Sequence, residues 1–155
     1  RAYPEAKTKR HRGYIYPGFI DAHCHFLAHC RGTKGLNIWG HNDLESIQKA
    51  VQKFSKKNQR PWVVGRGWDQ NKWTENRMPT TEDLKGFSTK PVCLSRIDGH
   101  AIWVNQIALD QLHLNYDTLI EGGEILKDNF GNPTGVFVDN AADWFKSFIP
   151  PLDEA

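Results

Sequence analysis

His23-Cys24-His25 is the run in this chain whose residue types and spacing point most directly to chemistry. On a strand, alternate side chains share a face, so Asp21, His23 and His25 point one way while Ala22 and Cys24 point the other. Two imidazoles side by side supply half of a typical catalytic zinc site. Their neutral nitrogens bind Zn²⁺ at about 2.0–2.1 Å, and such a site keeps one position open for water. Spacing alone is also compatible with two ordinary hydrogen-bonded histidines. A rival set, Cys24, His25, His29 and Cys30, crowds several ligand types into one short stretch. Structural zinc sites draw on ligand pairs a dozen or more residues apart, and no second pair follows at that distance.

Two further runs carry polar groups where a parallel α/β fold binds ligands, beyond the carboxyl ends of its strands. They are Gly65-Arg66-Gly67-Trp68-Asp69-Gln70-Asn71 and Ser95-Arg96-Ile97-Asp98-Gly99-His100. With His25, this makes three successive predicted strands that end in polar residues.

The elements that must hold these runs follow from pattern. Phe19–Phe26 comes after a Pro17-Gly18 turn and reads as a buried strand. Asn42-Asp43-Leu44-Glu45 offers a helix cap, after which Leu44, Ile47, Val51 and Phe54 recur at helical spacing until Pro61. Trp62–Trp68 and Pro91–Ile97 are rich in β-branched and aromatic residues and read as strands, separated by a helical stretch near Thr81–Gly86. Ile102, Leu109 and Leu112 predict a third helix from Ala101 to about Leu112. Gly123–Lys127 and Val136–Val138 flank a run of turn formers and predict a hairpin, and Asn140 starts a last helix carrying Trp144, Phe145 and Phe148. Strand and helix alternate as in right-handed βαβ units with a parallel sheet, the hairpin being an inserted decoration.

Composition limits the function classes. Twenty Lys and Arg against 18 Asp and Glu leave a net charge of 20 − 18 = +2, which excludes a strong nucleic-acid footprint. No window approaches the ~20 apolar residues of a membrane span, and the opening Arg1-Ala2-Tyr3-Pro4-Glu5 is unlike a signal peptide. A hydrophobic fraction of 39% in 155 residues suits one globular domain. The 3 cysteines, Cys24, Cys30 and Cys93, cannot close a disulfide framework, so reduced thiols and a cytoplasmic location are expected. The only methionine is Met78, and the expectation is a piece of a longer chain or a mature form.

Five ordered motifs together resemble the amidohydrolase superfamily, in the subgroup of metal-dependent hydrolases similar to N-substituted formamide deformylases (amidohydrolase family 3). They are Pro17–His25, Gly65–Trp73, Arg96–Asn105, Gly122-Gly123-Glu124-Ile125 and Gly131-Asn132-Pro133-Thr134-Gly135, and the resemblance covers about residues 14–142. It implies a TIM-type (β/α)8 barrel whose first strand carries the metal ligands His23 and His25. The ion would be divalent, Zn²⁺, activating water for attack on an amide-type carbonyl of a small molecule. Trp68, Asp69, Asp98 and His100 would line the substrate pocket, although a structural contact or a metal-ligand role also stays open for His100. The remaining family ligands and the acid–base aspartate come from later barrel strands, so no catalytic residue is assigned. A full barrel needs roughly 250 residues. The expectation is therefore a partial barrel: residues 1–16 as the end of a small β-sandwich region and 17–155 as the first barrel strands with an inserted hairpin, inactive alone.

The competing reading is a small carbohydrate- or ligand-binding module built on the 6 tryptophans. Finally, an open parallel sheet leaves unpaired edges, which predicts a homo-oligomer.

Overall fold

The computed structural model describes residues 4–7, 9–21 and 33–150. At its centre, Val63–Trp68 (β2) and Val92–Arg96 (β3) run parallel, in register from Val63 opposite Val92 to Arg66 opposite Ser95. Leu36–Asn37 (β1) lies parallel on the far side of β2, with Leu36 opposite Gly65. Only glycine allows that approach, because a Cβ on Gly65 would sit 2.6 Å from the Leu36 carbonyl oxygen and 2.8 Å from Leu94 Cδ2.

The crossover from β1 to β2 is helix α1, Leu44–Lys57, which buries Leu44, Ile47 and Val51 on its sheet side. Its cap is Asp43, one residue past Asn42; the carboxylate accepts from the Ser46 backbone N–H at 2.7 Å.

Past β3 the chain turns back, and the sheet becomes mixed. Ala101–Val104 (β4) is antiparallel to β3, Pro133–Asp139 (β6) is antiparallel to β4, and Gly123–Lys127 (β5) closes the order β1-β2-β3-β4-β6-β5. The predicted hairpin is present, but it continues the sheet through β4 instead of decorating it.

Three other expectations change. Residues 101–104 form a strand where a helix was expected, and helix α2 begins only at Gln106, running to Leu112. Ala101, Ile102, Trp103 and Val104 are all buried, and a strand buried on both faces shows no alternation to separate it from a helix. The stretch near Thr81–Gly86 is a single 3₁₀ turn, Thr81–Leu84, closed by reciprocal bonds between Thr80 and Asp83. The expected first strand, 19–26, is not seen in its described part: Phe19 and Ile20 lie exposed outside any strand, and 22–26 fall outside the described residues.

Helices cover both faces of the sheet. One face packs Val63, Val92, Leu94, Trp103 and Val136 against α1 and Leu84. The other packs Cys93, Ile102, Val104 and Phe137 against α2 and against helix α3, Asn140–Lys146, whose Phe145 ring lies 4.5 Å from that of Phe137. The Cys93 thiol is free and inert there, burial pushing its pKa up to about 12.

Asn105, 3% exposed, ties three elements together. Its Oδ1 accepts from Val92 N–H at 2.9 Å and Ala108 N–H at 3.1 Å, and its Nδ2 donates to the Lys90 carbonyl at 3.0 Å. Asn105→Ala leaves these buried backbone groups unpaired and uncaps α2. A loss of about 3 kcal/mol is expected in urea unfolding, and a loss below about 1 kcal/mol would show that the junction relaxes.

Asp83 gives a pH signature. Burial pushes its carboxyl up, but Arg77 at 2.6 and 2.8 Å and the Thr80 N–H at 2.7 Å together carry it below its ordinary value of 3.8. A carboxylate with a depressed native pKa stabilises fully above its unfolded pKa and loses that contribution as pH falls through the native one. Asp83→Asn is expected to cost about 1–3 kcal/mol near neutral pH, with the difference from wild type closing as pH falls through the lowered native pKa in paired urea titrations.

Candidate active site

Strand directions bring the polar runs to one rim of the sheet. The carboxyl ends of β2 and β3 share that rim because the strands are parallel. The amino end of β4 and the carboxyl end of β6 reach it because each is antiparallel to its neighbour. Trp68-Asp69, Arg96–His100 and Asp139 therefore converge, and the Ile97 N–H donates to the Trp68 carbonyl at 2.9 Å to join the first two.

Trp68 is a core residue, fully buried, with its indole N–H donating to the Leu94 carbonyl at 2.7 Å. Its ring lies 6.0 Å from Trp73 and 6.5 Å from Trp103. The exposed surface above it belongs to Arg96, whose guanidinium carbon stands 5.9 Å from the ring centroid. Arg96 grips Asp98 with Nε at 2.9 and 3.0 Å from its two oxygens and Nη2 at 2.8 Å. That bond first, helped by the His100 backbone N–H at 3.0 Å, holds the Asp98 carboxyl below the usual carboxylate range.

Asp69 is occupied locally. It caps the 3₁₀ turn Gln70–Lys72, accepting from Asn71 N–H at 3.2 Å and Asn71 Nδ2 at 3.1 Å. His100 is the open group of the rim, with 68% of its side chain exposed. Its Nδ1 lies 2.9 Å from Asp139 Oδ1, while the Asp139 N–H donates to the His100 carbonyl at 2.7 Å. Asp139 holds φ +50° and ψ −125°, a conformation costly for any residue but glycine, of order 1–3 kcal/mol.

Sequence reasoning missed Asp139. It lies 39 residues from His100 at the end of a hairpin strand, and no local motif marks it.

His23 and His25 fall outside the described residues, as do Cys24, His29 and Cys30. Among the described residues no three His, Cys, Asp or Glu side chains are grouped to hold a metal ion, so the rim does not by itself fit one. A small cavity of about 130 Å³ lies at the other end of the sheet, between the end of α1 and the loop at Phe87-Ser88, away from these groups.

The tryptophans do not form a binding strip. Trp62, Trp68, Trp73 and Trp103 are buried, Trp144 is half-buried, and Trp39 is the exposed one, at 64%, among the described residues. The surface on which a tryptophan-rich module would stack sugars is therefore missing there. No described helix is long and apolar enough to cross a membrane.

Known proteins resemble this chain in sequence and in fold. The chain is 34% identical over 143 residues to putative amidohydrolase YtcJ of Bacillus subtilis, covering 90% of this chain and 27% of that protein. It is 30% identical over 139 residues to N-substituted formamide deformylase of Arthrobacter pascens, covering 86% and 26%. Protein LONG AFTER FAR-RED 3 of Arabidopsis thaliana is 28% identical, with 89% and 24% covered. The chain thus spans about a quarter of the length of these relatives. The fold matches the crystal structure of an uncharacterized metal-dependent hydrolase from Pyrococcus furiosus with a TM-score of 0.61 at 24% identity, over 90% of this chain and 26% of that one. The sequence model of the amidohydrolase family matches residues 13–155, a span that holds every described strand and the whole polar rim, and the chain belongs to that family.

Proposed function

We propose that this chain forms part of a metal-dependent hydrolase that cleaves carbon–nitrogen bonds in small non-peptide amides or N-formyl amines. The observation that carries the reading is the convergence of Asp98, His100 and Asp139 on one sheet rim within a chain of the amidohydrolase family. The relative named N-substituted formamide deformylase supports the substrate class.

In this reading Asp98 and His100 meet the substrate directly. Trp68 acts from beneath, seating Arg96, which orients Asp98. Asp69 shapes the loop that borders the pocket. His23 and His25 hold a divalent ion, Zn²⁺, with further ligands from outside the described residues; a bound ion of this kind lowers the pKa of its water and polarises a carbonyl.

The outer edge of β1 has no partner among the described residues, which leaves it open to a neighbouring strand. In this reading β1 to β3 are an arc of a (β/α)8 barrel, with 1–16 assigned to the end of a β-sandwich region. Such an arc leaves strand edges unpaired, and Tyr14, Ile15, Tyr16, Phe19 and Ile20 are exposed apolar residues outside it. It associates with copies of itself.

Three measurements test this reading. Zn²⁺ binding by the 155-residue chain, followed by calorimetry, is expected to fall in His23→Ala and His25→Ala by about tenfold or more; unchanged binding removes them as ligands. With Zn²⁺ added, the chain itself is expected to leave N-substituted formamides intact, since a catalytic zinc takes three protein ligands plus water. Turnover that His23→Ala abolishes would show that this ligand count is wrong. Light scattering at micromolar concentration is expected to give a dimer or larger species, and a monomer that unfolds cooperatively would count against an open arc.

A further inference from the structure

We propose that Asp139 is a positioning residue that keeps the proton of His100 on Nδ1, so that Nε2 meets the ligand as an acceptor and selects a group that donates a hydrogen there, such as an amide N–H. The proposal rests on the reading of this rim as a substrate site and adds to it the polarity of the group that His100 touches.

The chemistry of the partner gives the bond its direction. An ionised carboxylate has only lone pairs to offer, so the 2.9 Å contact makes Nδ1 the donor. In a neutral imidazole the other nitrogen is then the acceptor. His100 Nε2 has no hydrogen-bond partner among the described residues, and most of the ring is exposed.

Ring and carboxylate are held by more than their own contact. The His100 carbonyl accepts from Asp139 N–H at 2.7 Å, one step beyond the Ala101–Val138 pair of the β4–β6 ladder. On the other side the His100 N–H donates to Asp98, itself gripped by Arg96. Two backbone bonds therefore flank the side-chain bond, and little freedom is left in where His100 starts from the sheet. Asp139 stands at φ +50° and ψ −125°, where glycine would sit without strain. Strain of this kind collects at functional sites, and here it aims a carboxylate at a histidine.

The tautomer is read directly by long-range ¹H–¹⁵N correlation of the histidine rings of the 155-residue chain, near pH 8 where imidazole is neutral. The His100 signal is identified by its loss in His100→Gln. Wild type is expected to show the Nδ1–H form. Asp139→Gly, which accepts the positive φ without strain and removes the acceptor, is expected to lose it. An Nε2–H ring in wild type, or the same tautomer in wild type and Asp139→Gly, overturns the proposal. Addition of N-methylformamide, which has an N–H, is expected to shift the His100 signals, and N,N-dimethylformamide, which has none, to leave them in place. An equal response to both, or no response to either, overturns the selection of a donor. Neither readout uses a metal or turnover, so each stands or falls separately from the hydrolase reading.

Discussion

Burial of the sheet on both faces is the constraint from which the rest of this structure follows. Cys93, Leu94, Ile102, Trp103, Val136 and Phe137 lie at the middle of the sheet and are almost wholly excluded from water, with α1 on one side and α2 and α3 on the other. A polar group placed there without a partner would cost more than most single contacts return. Polar chemistry is thereby confined to the strand ends. The parallel pairing of β2 and β3 then decides which end receives the motif residues, and the antiparallel β4 and β6 return the chain to the same end.

The rim is built as layers of support. Three tryptophans pack together beneath it, Trp68 and Trp103 edge to face and each anchored by an indole N–H bonded to a backbone carbonyl. Arg96 lies on that aromatic floor, and Asp98 is tied to Arg96. The backbone of His100 is bonded to Asp98, and its ring to Asp139. Each group is oriented by the one below it, so the rim holds its donors and acceptors in fixed positions. Trp73 is buried in the same cluster with its indole N–H unpaired, and nothing in the described residues explains it.

Family membership and this rim explain each other. The polar runs that resemble family motifs as sequence are the ones that the strands deliver to one place. Gly65 shows how closely the motifs are tied to the fold: it opens the second motif because β1 passes too near for any side chain.

Much of this is legible in the amino-acid sequence. The β-branched runs at 62–68 and 91–97, the apolar stripe of α1, the turn formers between β5 and β6 and the ordered motifs all carry local signals, because turn geometry and one-sided burial leave their mark within a few residues. What only the tertiary structure decided has no local signature. Two residues of β1 are too few to show a period, and β4, dry on both faces, reads like a helix. Trp68, whose position at a strand end reads as pocket lining, is buried in the fold against Trp73 and Trp103. The pairing of His100 with Asp139 exists only because β4 and β6 lie side by side, so that residues far apart in the chain become neighbours across a ladder.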